Sequence, residues 1–319
     1  MRYALMTEPQ QGLTYEELLA LARKAEESGI EAFFRSDHYT SFPGAAGLPT
    51  TDAWSTLAGL ARETSRIRLG TLVSPVTFRI PGSFAKVVAT VDQMSGGRIE
   101  VGMGAGWNQR EHAELGIPYP PELRERYDRL EEALAVVTGL WCEPDGWTFE
   151  GRHWQVRGSR FAPRPSGDGR CGPHLILGGD GGPRLARLVA RYADEFNRQS
   201  ATPDRAREAY GRVRAACESI GRDPATVVLS AMVGVLIGES PGDVEDRARD
   251  VLAAGGEADA KGWLDERRER WIIGTPDQAL ARVAELEAAG VQRVMLQDFL
   301  PRDLDHVRLM GRVFNPVRA

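Results

Sequence analysis

Two apolar periods alternate along the chain. Short continuous apolar runs, such as Arg2–Met6, Ile67–Val73 and Ile99–Gly104, suit strands buried on both faces, and between them apolar residues recur every three or four positions. "TYEE" (Thr14–Glu17) is a capping box, in which a hydroxyl and a carboxylate three residues apart satisfy free backbone N–H groups at a helix start. Behind it Leu18, Leu21, Ala22 and Ala25 share one helical face, and Gly29 suits the stop. The same reading predicts strands at Glu31–Ser36, His174–Leu177, Asp194–Arg198, Val227–Ile237 and Gln292–Gln297. It predicts helices at Asp52–Glu63, Pro81–Met94, Glu122–Trp141, Pro183–Ala193, Pro203–Ile220, Pro241–Leu252, Pro276–Ala289 and Asp303–Val313. Two segments break the rhythm. Cys142–Gly172 is rich in Gly, Pro and aromatics, with a small hairpin expected in Trp147–Val156, and Gly255–Arg270 is a charged insertion.

Eight strands, each followed by at least one helix, imply parallel pairing, because every return to the same edge needs a crossover. The expected fold is therefore α/β: a (β/α)8 TIM barrel with insertions over the C-terminal mouth, one domain spanning residues 1–319 with excursions at about 142–172 and 255–270. A doubly wound open sheet is the alternative. It usually has fewer strands and carries a dinucleotide fingerprint after the first one, and "TEPQQG" (Thr7–Gly12) is not that fingerprint.

Composition narrows the partners. The 319 residues are 42% hydrophobic and 27% charged, with a net charge of -5 and no basic run, which argues against nucleic acid. No apolar stretch approaches the roughly 18 residues of a membrane span, and "MRYALMTEPQ" has no signal-peptide core. Cys142, Cys171 and Cys217 are far apart, odd in number and without metal-ligand spacing, so a reducing cytoplasm is expected and no metal. The expected partner is a small-molecule substrate, with a homodimer possible.

In a barrel the strand C-termini converge on one mouth. The residues there are Thr7, Glu8 and Gln10; Asp37 and His38; Leu72–Arg79; Gly104–Asn108; Gly178–Gly182; Asn197–Ser200; Gly238–Ser240; and Gln297–Phe299. "RSDHY" (Arg35–Tyr39) closes an apolar run on polar residues, which makes Asp37 and His38 site candidates, with a satisfied structural pair as the plain alternative. Arg35 and Ser36 are not assigned to chemistry. "GMGAG" (Gly102–Gly106) is either a tight turn or a place where a flat ligand meets the backbone, with Trp107 stacking on it or sitting in the core. "GGDGGPR" (Gly178–Arg184) puts four glycines before a proline at a helix N-terminus, an anion site or a structural turn; the first reading needs Asp180 to point away from the anion. His174 opens its strand at the opposite end and reads as structural, and His112 could reach the mouth.

Several longer stretches carry a resemblance: "SDHY" (Ser36–Tyr39), "RIRLGTLVSPVTFRIPG" (Arg66–Gly82), "VDQMSGGRIEVGMGAGWNQREHAELG" (Val91–Gly116), "RYDRLEEAL" (Arg126–Leu134), "GGDGGPRLARLVARYADEFN" (Gly178–Asn197) and "GTPDQALARV" (Gly274–Val283). Together they resemble the bacterial-luciferase-like superfamily of flavin and deazaflavin barrels, and most of all the oxidoreductases that use the deazaflavin coenzyme F-420. The resemblance implies the (β/α)8 fold and a set of roles. Asp37 and His38 lie beside the (deaza)flavin ring, Leu72-Val73 are joined by a non-proline cis peptide against its back face, Gly104, Ala105, Gly106, Trp107 and Asn108 border its edge, and Gly178, Gly179, Asp180, Gly181 and Gly182 hold its phosphate. It implies hydride transfer between the deazaflavin and a small organic substrate, with His38 as proton shuttle and Asp37 contacting the ring or fixing the imidazole. Trp107 stands where the family's sugar-phosphate dehydrogenases carry an acidic residue, which argues against sugar-phosphate oxidation. An FMN-dependent monooxygenase and a non-catalytic flavin-binding protein are the alternatives.

Overall fold

The computed structural model describes residues 1–42, 46–166, 171–253 and 259–315. Strands β1 (Arg2–Thr7), β2 (Ala32–Arg35), β3 (Arg68–Pro75) and β4 (Ile99–Gly104) are followed by a hairpin of β5 (Trp147–Glu150) and β6 (Gln155–Ser159). Then come β7 (His174–Gly179), β8 (Glu195–Gln199), β9 (Val228–Ile237), β10 (Ile272–Gly274) and β11 (Arg293–Asp298). The order β9-β11-β1-β2-β3-β4-β7-β8 closes on itself through β8–β9, and every pair in that ring is parallel. All eight strands expected from the pattern are in it, and it is a closed (β/α)8 barrel. The three-residue β10, which the pattern did not reveal, adds to the far end of β9.

Helices α1 (Tyr15–Glu27), α2 (Ala53–Glu63), α3 (Pro81–Ser95), α4 (Gln109–Leu115), α5 (Leu123–Cys142), α6 (Pro183–Tyr192), α7 (Pro203–Ser219), α8 (Pro241–Ala253), α9 (Ala260–Arg267), α10 (Pro276–Ala288) and α11 (Leu304–Phe314) surround the strands. The capping box of α1 forms as read, Thr14 and Glu17 each satisfying the other's backbone N–H. Alternation along the strands separates two cores. Tyr3, Leu5, Phe33, Leu69 and Val101 face the helices, whereas Ala4, Met6, Ala32, Phe34, Leu72, Ile176, Met232 and Met295 form a separate cluster. The short helices α4 and α9 lay inside stretches read as loop or insertion. Parts of Ser41–Pro49, the Cys142–Gly172 excursion and Gly255–Arg270 fall outside the described residues.

The hairpin exists and runs on to Ser159. Cys142 and Cys171, distant in sequence, meet as a disulfide across 29 residues, while Cys217 is buried and free. Sequence spacing concealed that pair because the excursion folds back against the end of α5. Among the described residues no helix is long and apolar enough to cross a membrane.

The end of the barrel away from the mouth is filled by charge. Arg293, fully buried, donates to Glu100 at 2.6 Å and to Glu195 at 3.0 Å, and Arg68 reaches Glu100 at 2.6 Å. His174 lies 2.9 Å from Glu195. Burial would raise both carboxyl pKa values, but the Arg293 guanidinium outweighs it and holds Glu100 and Glu195 below the usual carboxylate range. Burial likewise disfavours the Arg293 charge, and the two carboxylates overcome that and raise it. His174 is therefore part of a closed ion network at the strand starts.

Candidate active site

The strand C-termini surround a cavity of about 420 Å3. Its lining includes Glu8, Gln10, Ser36, His38, Leu72, Val73, Gly104–Asn108, Gly178–Asp180, Asn197, Met232 and Gln297, drawn from all eight barrel strands or the loops after them. β9 contributes Met232 alone, and Gly238–Ser240 are not in the lining. A second cavity of about 610 Å3 lies outside the barrel between α8 and α11, where acidic side chains are paired to Arg247 and Arg312.

His38 lines the mouth, and its Nδ1 lies 3.1 Å from Glu111 Oε1. Glu111 is almost wholly buried, and its other oxygen accepts from the Tyr39 and Thr40 backbone N–H groups. A carboxylate fixed in that way is an acceptor, so it selects the Nδ1–H tautomer and turns Nε2 outward. Nε2 makes no hydrogen bond to a described residue. Sequence reading passed over Glu111. It sits four residues beyond Trp107, but on α4, whose seven residues are too few to show a helical period, so the sequence alone does not place its side chain at the mouth. His112 is different: its Nδ1 is 2.7 Å from the Asn108 carbonyl and its Nε2 2.8 Å from Thr77 Oγ1, so it braces the loop even though it borders the cavity.

Asp37 does not line the cavity, and it does not touch the imidazole. Its carboxylate lies behind the strand end, accepting from Ser74 Oγ at 2.6 Å and from Arg79 at 2.5 and 3.2 Å. The expectation of an imidazole contact is corrected by this placement: alternation after β2 turns successive side chains to opposite sides, and Arg79 supplies the buried countercharge. Arg79 also grips Asp52 and the Tyr39 hydroxyl. Burial would lift the Asp52 carboxyl, but the Ser55 backbone N–H and Arg79 outweigh it and hold it at about 2. Burial pushes the Tyr39 phenol well up. Arg35 is buried on Thr51, Thr56 and the Ser36 carbonyl, and burial draws its pKa down to about 10. Ser36, unassigned from sequence, faces the cavity and donates to Gln10.

The Leu72–Val73 peptide is cis, and the β3–β4 register shifts there between Thr71 and Ser74. Ser74, held by Asp37 and the Trp54 indole N–H, anchors this bulge from behind. Glycine at 104 and 178 is required by Val73: a Cβ would meet its methyl carbons at 2.7 and 2.9 Å. These glycines thus make room for the bulge. Gly106 carries a positive φ and its carbonyl accepts from Arg126 on α5. Asn108 caps α4. In the last loop, Gly178, Gly179 and Asp180 line the cavity, whereas Gly181 packs on Phe196 and Ala209. Gly182 is the open N-cap of α6. Asp180 is turned to Arg198 at 2.8 Å, and the pair leaves the helix N-terminus without a neighbouring uncompensated carboxylate.

A fixed polar set occupies the opposite wall. Glu8 accepts from Gln10 at 2.8 Å and from Gln297 at 2.7 Å, and Asn197 donates to Ser230. The donor and acceptor edge, the apolar bulge of Leu72 and Val73, and the uncapped start of α6 fit a flat heterocycle carrying a phosphorylated tail.

Comparison with known proteins agrees. A family model described as luciferase-like monooxygenase matches residues 1–293. The F-420-dependent glucose-6-phosphate dehydrogenase of Mycolicibacterium gilvum (strain PYR-GCK) is 28% identical over 302 residues, covering 88% of this chain and 87% of that enzyme. The pyrimidine monooxygenase RutA of Stutzerimonas stutzeri (strain A1501) is also 28% identical, over 265 residues, covering 81% of this chain and 71% of that one. Among solved structures, the monooxygenase RslO1 from Streptomyces bottropensis superposes with a TM-score of 0.83 at 22% identity over the whole of both chains. An F-420-dependent secondary alcohol dehydrogenase bound to an F-420-acetone adduct also gives 0.83, at 20% identity, over 100% of this chain and 99% of that one.

Proposed function

Because the chain belongs to the luciferase-like monooxygenase family, whose members include both deazaflavin and flavin enzymes, we propose that it transfers a hydride between coenzyme F-420 and a small organic substrate, as a reductase or dehydrogenase. The observation that carries the reading is His38: Nδ1 is held by a buried carboxylate while Nε2 is left to the cavity. When bound, the deazaflavin supplies two-electron chemistry at carbon and reacts poorly with oxygen.

The chain's own residues do the rest. Leu72 and Val73 offer an apolar face for the ring system, and Glu8, Gln10, Asn197 and Gln297 offer hydrogen-bonding groups for its polar edge. Ala105, Trp107 and Asn108 border it, and the backbone of Gly178–Gly182 at the start of α6 receives the phosphate. His38 Nε2 gives or takes the substrate proton, and Glu111 keeps the ring oriented and balances its charge when both nitrogens are protonated. Asp37 acts at one remove, by fixing Ser74 and so the bulge.

An FMN-dependent monooxygenase is the second reading, supported by the equal identity to RutA. The test is competitive binding. Purified protein should bind coenzyme F-420 with micromolar or tighter affinity and FMN more weakly; no detectable F-420 binding, or tighter FMN binding with substrate-dependent oxygen uptake, overturns the first reading. A protein that binds cofactor yet turns over no acceptor would be the non-catalytic flavin binder.

A further inference from the structure

We propose that the substrate is a neutral, predominantly apolar compound, aromatic or alicyclic in shape, presenting one hydrogen-bonding oxygen or nitrogen to His38 Nε2. The inference rests on reading the barrel mouth as the oxidoreductase site and holds for either cofactor.

Three observations carry it. His38 stands in a box of aromatic rings. Phe42 meets its ring edge-on with centroids 4.5 Å apart, Trp107 does so at 5.9 Å, and Phe42 and Trp107 meet each other at 5.3 Å. Rings at such angles form an apolar corner around one polar nitrogen, which suits a flat or bulky apolar body with a single polar atom.

Trp107 is also 63% exposed and Leu123 54% exposed, and both belong to the cavity wall. Large apolar side chains left open at the rim of a cavity gain most when a ligand of like character covers them.

The third observation is charge. Among the described residues no lysine or arginine lines the cavity, while Glu8, Glu111 and Asp180 do. The guanidinium groups beside the mouth are already engaged: Arg198 by Asp180 and the Gln199 carbonyl, Arg126 by the Gly106, Pro120 and Pro121 carbonyls, and Arg110 by Glu114 and the Ser41 carbonyl. Glu111 lies directly behind His38. An anionic substrate placed on His38 would face that carboxylate with no fixed cation to offset it. A sugar phosphate, or any carboxylated compound bound through its charge, is excluded on this ground.

The test compares acetophenone, 4-acetylbenzoate and glucose 6-phosphate as probes, with their dissociation constants read by calorimetry. Each is titrated into the protein without cofactor, with F-420 and with FMN. Acetophenone should bind at least about ten-fold tighter than 4-acetylbenzoate, the penalty of a like charge near a carboxylate, and glucose 6-phosphate should not bind measurably. Trp107→Ala should weaken acetophenone by about ten-fold, and Trp107→Arg should improve 4-acetylbenzoate relative to acetophenone. Equal or tighter binding of either anion to the wild type, no binding of acetophenone in any of the three states, or an unchanged ketone affinity in Trp107→Ala would each overturn the proposal. Preference for the ketone in a protein that fails to bind F-420 removes the deazaflavin reading and supports this one.

Discussion

The two ends of the barrel use the same side-chain types to opposite effect. At the strand starts His174 and Glu195 meet at 2.9 Å, and Arg293 and Arg68 close the group with Glu100. At the mouth His38 and Glu111 meet at 3.1 Å, and no guanidinium enters the cavity wall among the described residues. Burial is nearly complete for both glutamates. What differs is whether the charge is consumed. The lower network pairs its buried charges with one another, so it contributes structure, whereas the upper pair leaves one imidazole nitrogen facing open space. A histidine beside a carboxylate is therefore not a site by itself; the second nitrogen decides.

The comparison can be broken at either end. At the mouth, His38→Ala should cut turnover by about 10²–10⁴-fold while cofactor affinity stays within a few-fold; steady-state kinetics beside a cofactor titration separates the two, and unchanged turnover would remove His38 from the chemistry. At the other end, Arg293→Met removes the buried countercharge shared by Glu100 and Glu195 and should cost about 3–5 kcal/mol, read as a fall in the urea midpoint at neutral pH. A loss below 1 kcal/mol would mean that the network is not closed in the way described.

The bulge between the two ends gives a smaller effect. Gly104→Ala drives a methyl into Val73 and should lower stability by about 1–3 kcal/mol and weaken cofactor binding. Gly182→Ala meets open space at an ordinary φ of -62° and should leave the thermal midpoint nearly unchanged. Equal destabilisation by both would show that the close approach of Val73 is not what fixes glycine at 104.

Acid gives the smallest effect. Asp52 is held at about 2 against an ordinary 3.8. A carboxyl whose pKa is depressed in the folded protein contributes stability that is present above its unfolded value and lost as pH falls through the folded one. The Asp52–Arg79 contribution is thus whole above about pH 4 and fades toward pH 2. Asp52→Asn should flatten that part of a plot of thermal midpoint against pH and leave the neutral region little altered.

Much of this architecture is legible in the sequence. Continuous apolar runs alternating with helical periods mark all eight barrel strands, because strands buried on both faces leave little ambiguity of period. Eight such runs place Asp37, His38, Leu72, Val73 and the two glycine loops at one end. The rest needed coordinates. Asp37 and His38 are adjacent in the chain, yet only His38 faces the cavity, and the reason, Arg79, lies about forty residues on. Glu111 was hidden because a seven-residue helix has too few turns to show a period. Gly104 and Gly178 border the cavity, and the sequence does not show the second constraint on them, a valine on a neighbouring strand. The Cys142–Cys171 pair escaped notice because spacing says nothing about an excursion that returns on itself.

Anaerobic turnover with F-420 tests most directly the proposed passage of hydride between the deazaflavin and the substrate without oxygen. With a neutral carbonyl or alcohol substrate, the account predicts cofactor conversion matched one-to-one by product and a rate unchanged when air is admitted. Product formed only in air, in step with oxygen consumed, would contradict it.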